Sequence, residues 1–290
     1  MEYIIKNEEL ELSVSNQGAE MQSIISTEGI SYLWNGNHSN WGFRAPILFP
    51  SVSWFYQNAH KINEKIYPMP FNGFIQECRM KAILRTDTKL VFETYHNRVT
   101  MNMFPYKFVF RVSYGLERNN IKIDYTIKNV DDKIMHFSFG SHPCFNVSLV
   151  ENLSFDDYYY EFPEARNVIR VLRKEPECRY YGGEEAYHLS SEKRLILDDK
   201  TLGEAPILLK NMGKKAVLGT DKDSHRIEIE YPEMNLFMIW HLTGVPAITA
   251  EPWTSYMGTD QVIEDYSKRE DMIHLEAGNV YNNHMFLRFY

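Results

Sequence analysis

The strongest constraint in this chain is a hydrophobic period of two. From Ile121 to Ile127 the sequence reads Ile-Lys-Ile-Asp-Tyr-Thr-Ile, which puts Ile121, Ile123, Tyr125 and Ile127 on one face of an extended segment. Phe108–Leu116 alternates in the same way, and the intervening Glu117-Arg118-Asn119-Asn120 is a turn signal, so the two runs predict a β-hairpin. Leu10–Val14, Lys89–Tyr95, Arg194–Leu197, Ile207–Leu209, Arg226–Glu230, Asn235–Trp240 and Val280–Phe289 are strand-like as well. Helical periodicity is scarce, and its best candidate, Gln261–Arg269, is polar and reads as a short surface element. Many short strands divided by turns predict an all-β sandwich or barrel. Without a linker, a low-complexity tract or an internal repeat, residues 1–290 read as a single domain.

Composition narrows the partners. Asp and Glu number 39 against 31 Lys and Arg, a net charge of −8, which argues against a protein that tracks nucleic-acid phosphates or an anionic membrane. The three cysteines, Cys78, Cys144 and Cys178, are odd in number and far apart, which fits a reducing compartment better than a disulfide framework. With no signal-like start and no apolar run near the ~20 residues of a spanning helix, the expectation is a soluble cytoplasmic protein. Aromatic residues make up 14%. They fit a strand-rich core, and equally a cleft whose rings pack on the apolar faces of sugars. No Gly-rich phosphate loop, His-Glu-x-x-His, Cys-x-x-Cys or Gly-x-Ser-x-Gly occurs, so nothing points to a nucleotide, a structural zinc or a serine-hydrolase elbow.

Three segments set polar groups inside apolar, Pro- or Gly-constrained stretches. In Phe137–Asn146, His142 precedes Pro143, which biases it toward extended backbone. An imidazole held there suits acid/base work near neutrality, whereas an ordinary core His would be satisfied by a backbone carbonyl. In Pro246–Thr254, Glu251 closes an apolar run, also before a proline, and burial would raise its carboxyl toward neutrality. The bland alternative is an edge-strand Glu in water with Trp253 in the core. The third segment is Ala45–Pro50, followed by Ser51-Val52-Ser53-Trp54 and later by Pro70-Phe71-Asn72-Gly73-Phe74; packing alone would explain it.

In order along the chain, several motifs resemble the aldose 1-epimerase (galactose mutarotase-like) family, and most of all its small bacterial, lactose-operon-associated branch. They are Asn16-Gln17-Gly18-Ala19-Glu20, Tyr32-Leu33-Trp34-Asn35-Gly36, Trp41–Pro50, Gly140-Ser141-His142-Pro143, Phe155-Asp156-Asp157-Tyr158, Glu251-Pro252-Trp253 and Leu275-Glu276-Ala277-Gly278. The resemblance covers essentially the whole chain. It implies an antiparallel β-supersandwich with a sugar site in a concave cleft across one sheet. It also implies a reaction in which a Glu takes the proton of the anomeric hydroxyl while a His protonates the ring oxygen. The ring opens, the C1–C2 bond rotates, and reclosure gives the other anomer. Because the interconversion is symmetric, each group serves as acid in one direction and base in the other, and the resemblance implies that neither metal nor cofactor is needed. Glu251 falls on the family's base and His142 on its His. Glu204, just before Ala205–Leu208, is the candidate for a carboxylate that binds sugar hydroxyls.

Two positions depart from the family pattern. Trp54 stands where an Arg usually donates to the sugar, and Asn72 where a His is usual. Asn72 can still hydrogen-bond a hydroxyl but cannot supply a proton. Losing one charged hydrogen bond can cost ~1.5–3 kcal/mol. Arg44 or His60 is the candidate to compensate, and Trp54, Phe74, Phe145 and Trp253 are the aromatics expected around a sugar. The expected ligand is a hexose, plain or phosphorylated, and the expected state is monomer or homodimer. The rival reading is a carbohydrate-binding protein of the same fold with weak or no turnover. A thiol enzyme built on Cys144 beside His142 is a third, since residues two apart on a strand share a face.

Overall fold

The structure, a computed structural model, describes residues 1–37, 41–174, 180–203, 205–241 and 244–290. Strands Phe108–Glu117 and Asn120–Asn129 form the predicted hairpin, with Ile121 opposite Leu116 and Ile123 opposite Tyr114. The alternation translates directly into burial. Ile121, Ile123, Tyr125 and Ile127 are buried, while Lys122 and Lys128 face solvent. Strand Val280–Phe289 pairs along the other side of Asn120–Asn129. These three are central to a nine-stranded antiparallel sheet that runs from Arg194–Ile196 at one edge to Lys81–Arg85 at the other.

A seven-stranded sheet packs against it. Its order is Tyr180–Ala186, Ile169–Lys174, Ile207–Lys210, Leu236–Ile239, Glu251–Trp253, Gly140–Ser141, Ile47–Leu48. Aromatic side chains fill the space between the sheets. Phe237 packs against Tyr160 and Phe162 with ring centroids 5.8 and 5.2 Å away, and the Tyr125 hydroxyl lies 3.3 Å from Ser141 Oγ. Phe49 contacts Phe110 and Phe137. Each large apolar side chain taken from water contributes on the order of 2 kcal/mol, so most of the aromatic content belongs to this core. Strands Glu2–Lys6, Leu10–Ser15 and Met21–Ser26 form a third sheet, joined to the first where the buried Tyr114 hydroxyl donates to Ala19 O at 2.6 Å.

Helix is sparse, and not where it was expected. Gln261–Arg269 contains only a single 3-10 turn at Tyr266–Lys268, and Tyr266 is fully buried, so the segment is not a polar surface helix. One helical stretch is Arg98–Met103, which Asn97 caps by accepting from the N–H groups of Val99 and Thr100. Six residues are too few to show a 3.6 period in sequence. Among the described residues no helix is long and apolar enough to cross a membrane.

The central strands of the seven-stranded sheet, Leu236–Ile239, Glu251–Trp253 and Gly140–Ser141, are buried on both faces. Phe237 and Ile239 point into the main core, whereas Leu236 and Met238 point outward into a second cluster with Leu48, Val52, Val171, Leu208, Trp253 and Met257. That outer face positions the candidate site.

Candidate active site

Two segments 109 residues apart in sequence meet on the outer face through one antiparallel register. Gly140 pairs with Trp253, and Cys144 pairs with Thr249. The same register carried between these pairs sets His142 opposite Glu251. Pro143 and Pro252 lack an N–H, so the ladder is broken around the pair, although Ala250 N–H still donates to Pro143 O at 2.9 Å. Parity puts Gly140, His142 and Cys144 on the face that carries Trp253, Glu251 and Thr249. Gly140 is required there, because a Cβ at that position would lie 2.7 Å from Trp253 Cδ1. Glu251 also pairs with Met238, Met238's neighbour is Leu208, and Leu208's is Val171, so one row crosses the sheet to the acid–base pair.

His142 Nε2 lies 3.3 Å from Glu251 Oε1, and the two residues are 6% and 2% exposed. They touch directly, closer than the width of a sugar ring. Burial disfavours both charges. It pushes the Glu251 carboxyl up to about 8, against a hydrogen bond from Thr249 and the positive charge of Arg173, which pull it back. It drives the His142 imidazole down to about 4. Burial thus favours the neutral form of each group, the carboxylic acid on Glu251 and the uncharged imidazole on His142. His142 Nδ1 is buried and has no hydrogen-bond partner among the described residues.

Four further groups shape this pair. Thr249 Oγ1 lies 2.7 Å from Glu251 Oε1. Trp41 lies over the His142 ring with centroids 5.3 Å apart and planes inclined by 30°. Trp240 meets Trp41 edge-on at 5.4 Å and approaches His142 at 6.4 Å. Both indoles are half-buried. Arg173, two residues beyond Val171 on the same face, acts on Glu251 through its charge. None of these four was singled out from sequence. Even spacing along a strand does point to Thr249, which lies two residues before Glu251.

The other expected site residues have different surroundings. Trp253 lies beside Glu251 on the same face, and its buried Nε1 has no hydrogen-bond partner among the described residues. Phe145 is at odd spacing from His142, so its ring enters the main core, as does Phe74, which packs on Phe49, Phe104 and Phe108. These two rings support the core and do not face the pair. Trp54 stacks on Phe71 at 4.5 Å, and Phe71 is 40% exposed. Asn72 is buried and spends its Oδ1 on the Ser53 N–H at 2.7 Å, so its role here is to hold the turn. Arg44 turns its guanidinium to Gln22 Oε1 at 2.5 Å, while its carbonyl accepts from Cys144 N–H. His60 Nε2 bonds Met103 O at 2.8 Å, and the ring packs on Tyr266, away from the pair. Glu204 lies outside the described residues. Cys144 shares the face of His142, but burial, then the nearby Glu251, pushes its thiol well above the usual range, which disfavours a thiolate nucleophile. Among the described residues no three His, Cys, Asp or Glu side chains gather as a metal site.

Comparison with known proteins places the chain in a family. The family model described as aldose 1-epimerase matches residues 1–288. Protein LacX (plasmid) of Lactococcus lactis subsp. lactis is 27% identical over 280 residues, covering 92% of this chain and 91% of its own. A galactose mutarotase-like protein from Lactobacillus casei ATCC 334 superposes with a TM-score of 0.92 at 26% identity over the full length of both chains. A galactose mutarotase related enzyme from Lactobacillus acidophilus has the same TM-score at 24% identity, over 100% of this chain and 97% of its own, and so attests the fold. With the match running from the first residue almost to the last, the chain belongs to the aldose 1-epimerase family.

Proposed function

We propose that this protein interconverts the anomers of an aldose, with Glu251 and His142 as the proton-transfer groups. The observation that carries the reading is the buried 3.3 Å contact between the imidazole and the carboxyl. O1 and the ring oxygen sit on the same carbon, so two groups in direct contact can address both, and no ring-wide gap is needed. Glu251 takes the O1 proton while His142 gives one to the ring oxygen. That direction needs the resident proton on His142, whereas burial alone keeps it on Glu251. Substrate binding therefore has to move it across the 3.3 Å contact. The charge of Arg173 and the hydrogen bond from Thr249 both favour that move, since each stabilises the Glu251 carboxylate. Trp41 and Trp240 are the aromatic walls for the sugar's apolar face, and Trp253 Nε1 is an available donor.

Polarimetry of freshly dissolved α-galactose and α-glucose, extended to phosphorylated and other aldoses, tests the reading. Wild-type rates above those of Glu251→Gln and His142→Gln are expected, and equality across all sugars would refute it. A sugar-binding protein with little turnover is the second reading. It is favoured by Trp54 and Asn72, which are committed to Phe71 and Ser53 and supply no proton. Saturable binding by calorimetry, unchanged in Glu251→Gln and without rate enhancement, would select it.

A further inference from the structure

The Thr249 hydroxyl has one proton and two acceptors. Its oxygen accepts from Trp240 N–H at 2.8 Å, which leaves a single O–H to give. Glu251 Oε1 lies 2.7 Å away and Trp240 O lies 3.0 Å away, so both are within hydrogen-bond reach of that one proton. The oxygen itself is held firmly. Thr249 N–H donates to Trp240 O at 2.9 Å, and the fully buried Tyr160 hydroxyl donates to Thr249 O at 3.1 Å. What remains free to change is the direction of the O–H bond.

We propose that Thr249 is a positioning residue whose hydroxyl donates to Glu251 when the carboxyl is ionised and turns to the Trp240 carbonyl when the carboxyl is protonated. This rests on the reading that Glu251 exchanges a proton with the sugar. A hydroxyl that turns costs no heavy-atom movement, so the carboxylate gains a hydrogen bond in the half of the cycle that needs it. In the other half, the Trp240 carbonyl takes up the donor. The other ionisable groups around Glu251 do not duplicate the role. His142 is the exchange partner at 3.3 Å, and Cys144 and the Tyr160 phenol stay protonated in their burial. Arg173 is a fixed positive charge that acts in the same sense throughout the cycle. Met238, opposite Glu251 on the neighbouring strand, has no proton to give.

The test reads the Glu251 carboxyl itself, in sugar-free protein. Difference infrared titration follows the protonated-carboxyl band that Glu251→Gln abolishes. Thr249→Val keeps the shape and removes the hydroxyl, so the midpoint of that band is expected to rise by about one to two pH units. Thr249→Ser restores the hydroxyl and should restore the midpoint. If Thr249→Val does not fold, Thr249→Cys, a weak donor of similar size, is read in its place and should also rise. In turnover, the Val variant should lose kcat with KM little changed, and the Ser variant should recover it. An unchanged midpoint in a folded Val or Cys variant overturns the inference. A shifted midpoint in a protein that turns over no aldose leaves the Thr249–Glu251 coupling standing and refutes the proposed activity instead.

Discussion

Replacing Glu251 by Gln should change how stability depends on pH, in a form that the burial of the pair dictates. The carboxyl moves from its ordinary 4.5 up to about 8 on folding, with burial as the main cause. Between those values the folded state holds a proton that the unfolded chain has released, so stability falls as pH rises, by about 1.4 kcal/mol per unit. His142 moves the other way, from 6.5 down to about 4. Between those values the unfolded chain holds a proton that the folded state lacks, so stability rises with pH at the same slope. The two slopes cancel where the windows overlap, from pH 4.5 to 6.5. Above 6.5 only the carboxyl still titrates, and the wild type should lose about 2 kcal/mol by pH 8.

Gln keeps the size and hydrogen-bonding character of the neutral acid and removes its titration. The variant should therefore show only the His142 rise, about 3 kcal/mol between pH 4 and 6.5, and then a plateau. Relative to wild type it should gain about 5 kcal/mol between pH 4.5 and 8, since every other titrating group is common to both proteins. Urea unfolding at half-unit steps from pH 4 to 9, with m held common, gives the two curves. Curves that run parallel across that range would mean that Glu251 ionises as a water-exposed carboxyl does. The buried-pair account would then be wrong, whatever the activity of the variant.

Three further outcomes follow from local geometry. Gly73→Ala should cost more than about 3 kcal/mol in urea unfolding, because φ is +74° and a Cβ would lie 2.2 Å from Phe49 O; a loss below 1 kcal/mol would contradict that close approach. Asn72→Ala should lose about 1–3 kcal/mol by orphaning the buried Ser53 N–H, and Asn72→Asp, which keeps the acceptor, should lose less. Native protein treated with iodoacetamide at pH 8 should leave Cys144 unmodified by peptide mass spectrometry, with Cys78 reacting slowly because burial raises its thiol to about 11; rapid native labelling of Cys144 would contradict its burial.

What was legible in the sequence was whatever a period of two encodes locally. Ile121–Ile127 announces its strand and its buried face without help, because alternation fixes both. The same rule works inside the site as far as a single strand reaches. Counting by twos from His142 reaches Gly140 and Cys144, and from Glu251 it reaches Thr249 and Trp253, all of which share the face of the pair. It also excludes Phe145, three residues from His142, which the sequence reading had set beside the sugar. Alternation cannot say which face of a strand buried on both sides is core and which is site. Both faces of Leu236–Ile239 are apolar, and the pattern carries no sign of which is which. Nor can it join strands. That His142 meets Glu251 depends on a register across 109 residues, and the arrival of Trp41, Trp240 and Arg173 depends on neighbouring strands and a loop. The family motif substitutes for that missing register by marking the two residues without giving their geometry. The departures show the cost of the substitution. Trp54 and Asn72 were weighed as altered sugar contacts, yet their partners are Phe71 and the Ser53 backbone. A motif position reports where a residue falls in an alignment, and its role here follows from the hydrogen bonds and ring contacts that its own turn makes.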